Sequence, residues 1–122
     1  MGLKAVTLKG VETIFKVLKD AVKDGSHIVE TNDGWNESSE TPEDVRVILD
    51  QFKQEDIEHS SFSDLIQPTD TKGLVPGVDL ILPVRTSNFI EVTENEDVRR
   101  FTIVAFETDP FEAMYTMLLR DT

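Results

Sequence analysis

The chain has 122 residues, no cysteine, and 24 acidic against 12 basic residues, a formal net charge of −12. That length suits one domain able to bury roughly two-thirds of its unfolded surface, and the missing cysteines exclude disulfides and thiolate metal sites. The acid excess disfavours binding to nucleic-acid backbones, where affinity comes from Lys and Arg neutralising phosphates. Nothing at the N-terminus resembles a signal peptide and no apolar run is long enough to cross a membrane, so a soluble protein made in the cytoplasm is expected. The charge is uneven: residues 1–24 carry five lysines against Glu12, Asp20 and Asp24, a balance of +2, and the remaining 98 residues are at −14. A lysine-rich segment of this kind is either a solvated helix face or a surface that docks on an acidic partner.

The first predicted element is a helix over residues 8–24. Val11, Ile14, Phe15, Leu18, Ala21 and Val22 recur at spacings of three and four and form one apolar stripe, with Lys9, Glu12, Lys16, Lys19 and Lys23 largely off it. Thr7 suits the N-cap and Gly25 the left-handed residue that closes many helices. The stripe must cover an apolar surface, either the rest of the domain or a neighbouring subunit.

The remainder, residues 26–120, reads as a small β-barrel or sandwich, so the fold class is mainly β with an N-terminal helix. Strands are expected at 27–31, 45–52, 78–82, 89–92, 101–106 and 114–119, each rich in β-branched or aromatic residues and bounded by turn-formers. Between the first two, residues 32–43 form a long polar connection with three glutamates and the only tryptophan, expected as a mobile loop, or in part a hairpin through Asp33-Gly34. A helical turn is expected at 55–59.

Catalytic signatures are missing. There is no glycine-rich phosphate loop, no Gly-x-Ser-x-Gly elbow and no His-Glu-x-x-His, and acid pairs such as Asp44/Asp50 or Glu94/Glu96 arise by chance in so acidic a chain. His27 and His59 lack the flanking carboxylates at helical spacing that a metal site needs, and both read as surface or edge residues. No enzyme, metal or cofactor is expected.

The motifs Leu65-Ile66-Gln67-Pro68, Val75-Pro76-Gly77-Val78-Asp79-Leu80-Ile81, Phe101-Thr102-Ile103 and Ala113-Met114-Tyr115-Thr116-Met117-Leu118-Leu119-Arg120, following a helix, a strand, a long loop and a second strand, resemble the small head-tail joining proteins of long-tailed phages, the neck or stopper family that includes the lambda head-tail connector. The chain departs from the family pattern between Leu82 and Arg100, where an additional strand-like segment stands in place of a short turn.

The resemblance implies a virion protein, assembled in the host cytoplasm, that forms a homo-oligomeric ring between a portal or adaptor ring and the tail, closing the packaged head while DNA passes through the lumen without specific binding. Carboxylates facing such a lumen would repel phosphate and let the duplex slide. The candidate partner-binding residues are Trp35, Glu37, Glu40 and Glu43 in the acidic connection and Lys16, Lys19 and Lys23 on the helix, with exposed strand edges as further contacts. The competing reading is an acidic DNA mimic that inhibits a host nuclease or restriction enzyme. Such a mimic needs acids along one continuous face, whereas the helix is basic and Arg99, Arg100 and Arg120 interrupt the C-terminal half.

Overall fold

The computed structural model describes residues 3–32 and 38–122. A helix, α1 (Leu3–Val17), precedes six strands: β1 (Val22–Asn32), β2 (Ser38–Asp50), β3 (Thr71–Pro76), β4 (Phe89–Glu94), β5 (Asp97–Thr108) and β6 (Met114–Asp121). A short helix, α2 (Gln54–His59), and a 3₁₀ turn (Ser63–Leu65) lie between β2 and β3, and a second 3₁₀ turn (Gly77–Asp79) follows β3. The strands close into an antiparallel barrel in the order β1-β2-β3-β6-β5-β4, with β4 returning to β1.

Period-2 alternation builds the core. Val45, Val47, Val75, Ile90, Val92, Phe101, Ile103, Met117 and Leu119 point inward and fill the barrel, each contributing about 1.5–3 kcal/mol by leaving water. The register slips between Ile103 and Ala105. That extra residue in β5 switches faces, so that Phe101, Ile103 and Phe106 all meet the interior cluster while Ala105 packs outside against Phe62 and Leu118. α1 lies on the outer wall, with Val11 and Phe15 against Ile48, Ala113, Leu74 and Met114.

Several sequence expectations are corrected. The helix ends at Val17, not at residue 24, and Thr7 lies inside it. Val22 and Gly25 belong to β1, and Gly25 sits opposite both Val45 and Val92. A Cβ at Gly25 would stand 2.6 Å from the Glu91 carbonyl oxygen, so this glycine serves strand approach at the closure of the barrel rather than a helix end. The strand expected at 78–82 is a 3₁₀ turn followed by a crossing segment, and the third strand is Thr71–Pro76 instead. There a Cβ on Gly77 would fall 1.8 Å from the Glu112 carbonyl oxygen, and Gly77 donates its N–H to Ala113 O at 2.8 Å. Two of the resembling motifs therefore meet at a backbone joint. The Leu65–Pro68 motif also meets the last one, where Arg120 donates to Leu65 O (3.1 Å) while holding the neighbouring Asp70 (2.9 and 3.0 Å). Closure gives every strand two neighbours, but β2 meets β3 only from Ile48 to Asp50, so an open edge of the expected kind remains along β2.

Candidate functional site

The acidic connection is not a loop over its described residues. β4 pairs with β1 only from Gly25 to Ile28, whereas β1 and β2 stay paired as far as Asn32↔Ser38. Val29–Asn32 with Ser38–Thr41 thus form a two-stranded ribbon that overruns the barrel. The side-chain oxygen of the buried Asn88 receives the Glu30 N–H at 3.1 Å and ties down the ribbon's root. Along the unpaired edge of β2, Pro42 has no N–H to offer, and Arg46 gives its N–H to Asp79 at 2.9 Å. Both devices blunt an edge that would otherwise recruit another strand.

Of the candidate partner-binding residues in this region, Trp35 and Glu37 lie outside the described residues. Glu40 is exposed on the ribbon and pairs bidentately with Arg100 (2.8 and 3.1 Å). Arg100 also holds Glu91 (2.7 Å) and lies 4.7 Å over the Phe89 ring. The hydrogen bonds from Arg100 keep the Glu40 carboxyl below its usual range.

Glu43 is turned inward. It accepts from His27 Nδ1 at 2.7 Å and from the backbone N–H groups of Ile81 (2.9 Å) and Leu82 (3.1 Å). A carboxylate only accepts, so Nδ1 carries the proton. Its side chain is 12% exposed, and that of His27 is fully buried, which corrects the expectation of His27 as a surface or edge residue. The pair plugs the barrel end from which the ribbon projects and latches the segment crossing from β3 to β4. His27 Nε2 has no partner among the described residues.

The lysines lie elsewhere. α1 and the start of β1 bound a cleft of about 830 Å³ whose walls include Phe15, Val22, Lys9, Lys16 and Lys19. Lys9, Lys16 and Lys19 are exposed and make no ion pair among the described residues. Lys23 is on β1, 3.9 Å from Glu94. The cleft floor is fixed by Arg46, which binds Glu12 through both terminal nitrogens (2.9 and 2.8 Å), holds Asp79 (2.9 Å) and lies 5.5 Å above the Phe15 ring. Those bonds pull Glu12 below the ordinary carboxylate range and hold Arg46 charged.

Sequence reasoning missed two hubs, Arg46 and the His27/Glu43 plug. The usable signal was parity. His27 is two residues from Gly25 on one face of β1, and Glu43 two residues from Val45 on one face of β2, so both face the core once the register is known. Among the described residues, no group of three or more His, Cys, Asp or Glu could hold a metal ion.

No protein-family model and no curated protein matches the chain. The fold is similar to the solution structure of the protein SF1141 from Shigella flexneri 2a, at 16% identity and a TM-score of 0.55, over 81% of this chain and 90% of that one. At that identity the likeness bears on the fold alone.

Proposed function

We propose that the chain is a structural joining protein of the head-tail neck of long-tailed phages, a ring-former that closes the DNA-filled head and gives the tail its docking surface. The observation that carries this reading is the overrunning ribbon, a two-stranded extension of β1 and β2 past the closed part of the barrel. An arm of this kind reaches a neighbour without opening the fold that carries it. The barrel itself is filled by Phe101, Ile103, Met117 and Leu119, so DNA would pass through a hole between copies. An acidic rim there would repel phosphate.

Electron microscopy of particles grown with a stop codon in this gene tests the reading. Filled or leaking heads beside separate finished tails are expected, and joined, infectious particles would overturn it. The DNA-mimic alternative is less well served, because Glu12, Asp79, Glu40, Glu91 and Asp70 each spend their charge on an arginine of the same chain.

A further inference from the structure

We infer that the acidic tip of the β4–β5 hairpin of one copy docks in the lysine-walled cleft beside α1 of a second copy, and reciprocally, so that two chains form a two-fold dimer. The inference is independent of the neck reading and concerns the chain free in solution. β4 ends at Glu94 and β5 starts at Asp97, so Asn95 and Glu96 alone make the turn. Residues 95–98 are all exposed, and neither Glu96 nor Asp97 has an ion-pair partner among the described residues. The turn itself is strained. φ is 49° at Asn95 and 73° at Glu96, the left-handed pair that a two-residue type I′ turn requires. Glycine suits the second position because a Cβ there is crowded. Glu96 instead keeps a carboxylate at the tip despite the strain, a cost of the kind retained at functional sites.

The cleft is complementary. Lys9, Lys16 and Lys19 stand free on its walls, whereas Glu12 is held by Arg46, which leaves Asp24 as the one wall acid without a partner among the described residues. Phe15 and Val22 add apolar surface, and Ile14, Val17 and Leu18, 44%, 73% and 44% exposed, match the 60% exposed Val98 behind the tip. The strands of a hairpin lie about 4.8 Å apart, and Lys9 to Lys16 spans about 10 Å of helix, so the tip fits between the walls. No residue of β4 or β5 lines the cleft of its own chain. The two surfaces are nevertheless neighbours: Val22 and Asp24 belong to the cleft, and Lys23 between them lies 3.9 Å from Glu94 at the stem of the tip. Unlike surfaces set side by side are used twice across one axis, the isologous arrangement of a two-fold dimer. Copies at −12 repel overall, so both local matches are needed to hold and orient the pair.

Sedimentation equilibrium of the full chain tests the contact by charge exchange. The native chain is expected to dimerise. Glu96→Lys with Asp97→Lys should weaken dimerisation at least about tenfold even though it reduces the net charge from −12 to −8, because lysine then meets lysine in both contacts. Lys16→Glu with Lys19→Glu should weaken it likewise. Mixed in equal amounts, the two double variants should recover a dimer, since each tip again meets a cleft of opposite sign. Glu96→Gly separates fold from contact: it relieves the turn and should raise the urea midpoint of the dilute chain while weakening the dimer. A native chain that stays monomeric or grows beyond a dimer, reversed variants that pair as well as the native chain, a mixture that stays monomeric, or a Glu96→Gly chain that dimerises undiminished would each overturn the inference, with circular dichroism confirming that every variant is folded.

Discussion

The two walls of the barrel are built on different physics. The β3-β6-β5 wall is mainly apolar, with Val75, Phe101, Ile103, Met117 and Leu119 inside and Leu74, Ala105 and Leu118 covered outside by α1 or the 51–70 segment, where Lys72 and Arg120 add the outer pairs with Asp56 and Asp70. The β1-β2 wall shares the interior through Val45 and Val47, but it also carries the buried His27/Glu43 pair and the Arg46 hub, and it runs past the barrel. Dispersion and the hydrophobic effect are tolerant of direction, so the first wall sets stability. Hydrogen bonds and ion pairs are directional, so the second wall sets the pose of the ribbon, the cleft and the crossing segment.

The strongest way to break that comparison is Phe101→Ala, which empties the centre of the apolar wall at a position with no exposure. A loss of about 3–5 kcal/mol is expected, read as a fall in urea midpoint at constant slope; a loss under 1 kcal/mol would mean that the interior collapses without cost and the division between walls is wrong. Next comes Glu43→Gln, which keeps the shape but sets an amide NH₂ among three donors, His27 Nδ1 and the N–H groups of Ile81 and Leu82. The expected loss is about 1–3 kcal/mol, with hydrogen exchange accelerated at residues 80–82 well before the β5 and β6 amides. Uniform acceleration over the whole barrel would show that the plug holds the core rather than the crossing segment.

The smallest effect is confined to acid. Burial pushes the Asp70 carboxyl up, but the Arg120 guanidinium and the Gln67 N–H outweigh it and hold the folded-state pKa below the ordinary value. A carboxyl lowered on folding contributes stability above its unfolded pKa, about 3.9, and loses it as pH falls through the folded value. The stability difference between the native chain and Asp70→Asn should be full above about pH 4 and close steadily below it. A difference that stays constant from pH 7 to well below that point would remove the ion pair as its cause.

Much of the β pattern was legible because burial imposes period 2 wherever one face meets the core. The segments 89–92, 101–106 and 114–119 all lie within β4, β5 and β6, and the helical turn at 55–59 falls in α2. The errors share one cause, which is that local composition does not carry register. Val78, Leu80 and Ile81 look like a strand, yet Ile81 is 86% exposed and its N–H is held by a side chain from β2. Leu18, Ala21 and Val22 continued the stripe of α1, but Val22 opens β1 opposite Ile48, and Ile14, Val17 and Leu18 are left exposed. For the candidate surfaces, the sequence showed their charges. It could not show that Glu43 turns inward, because that depends on a pairing with β1 that only the closed barrel fixes.

Closure through Gly25↔Val92 also has a consequence in time. On a ribosome working at about 5–20 residues per second, β1 waits roughly 3–13 s for β4 to be made. During that interval the β1–β2 hairpin exists without the strand that completes it, and its bare side is a template for any passing nascent chain. Pairing between segments so far apart in sequence is slow even in the finished polypeptide. The acids along residues 30–44 lie on that hairpin, and like charge opposes pairing between half-made copies before each barrel has closed.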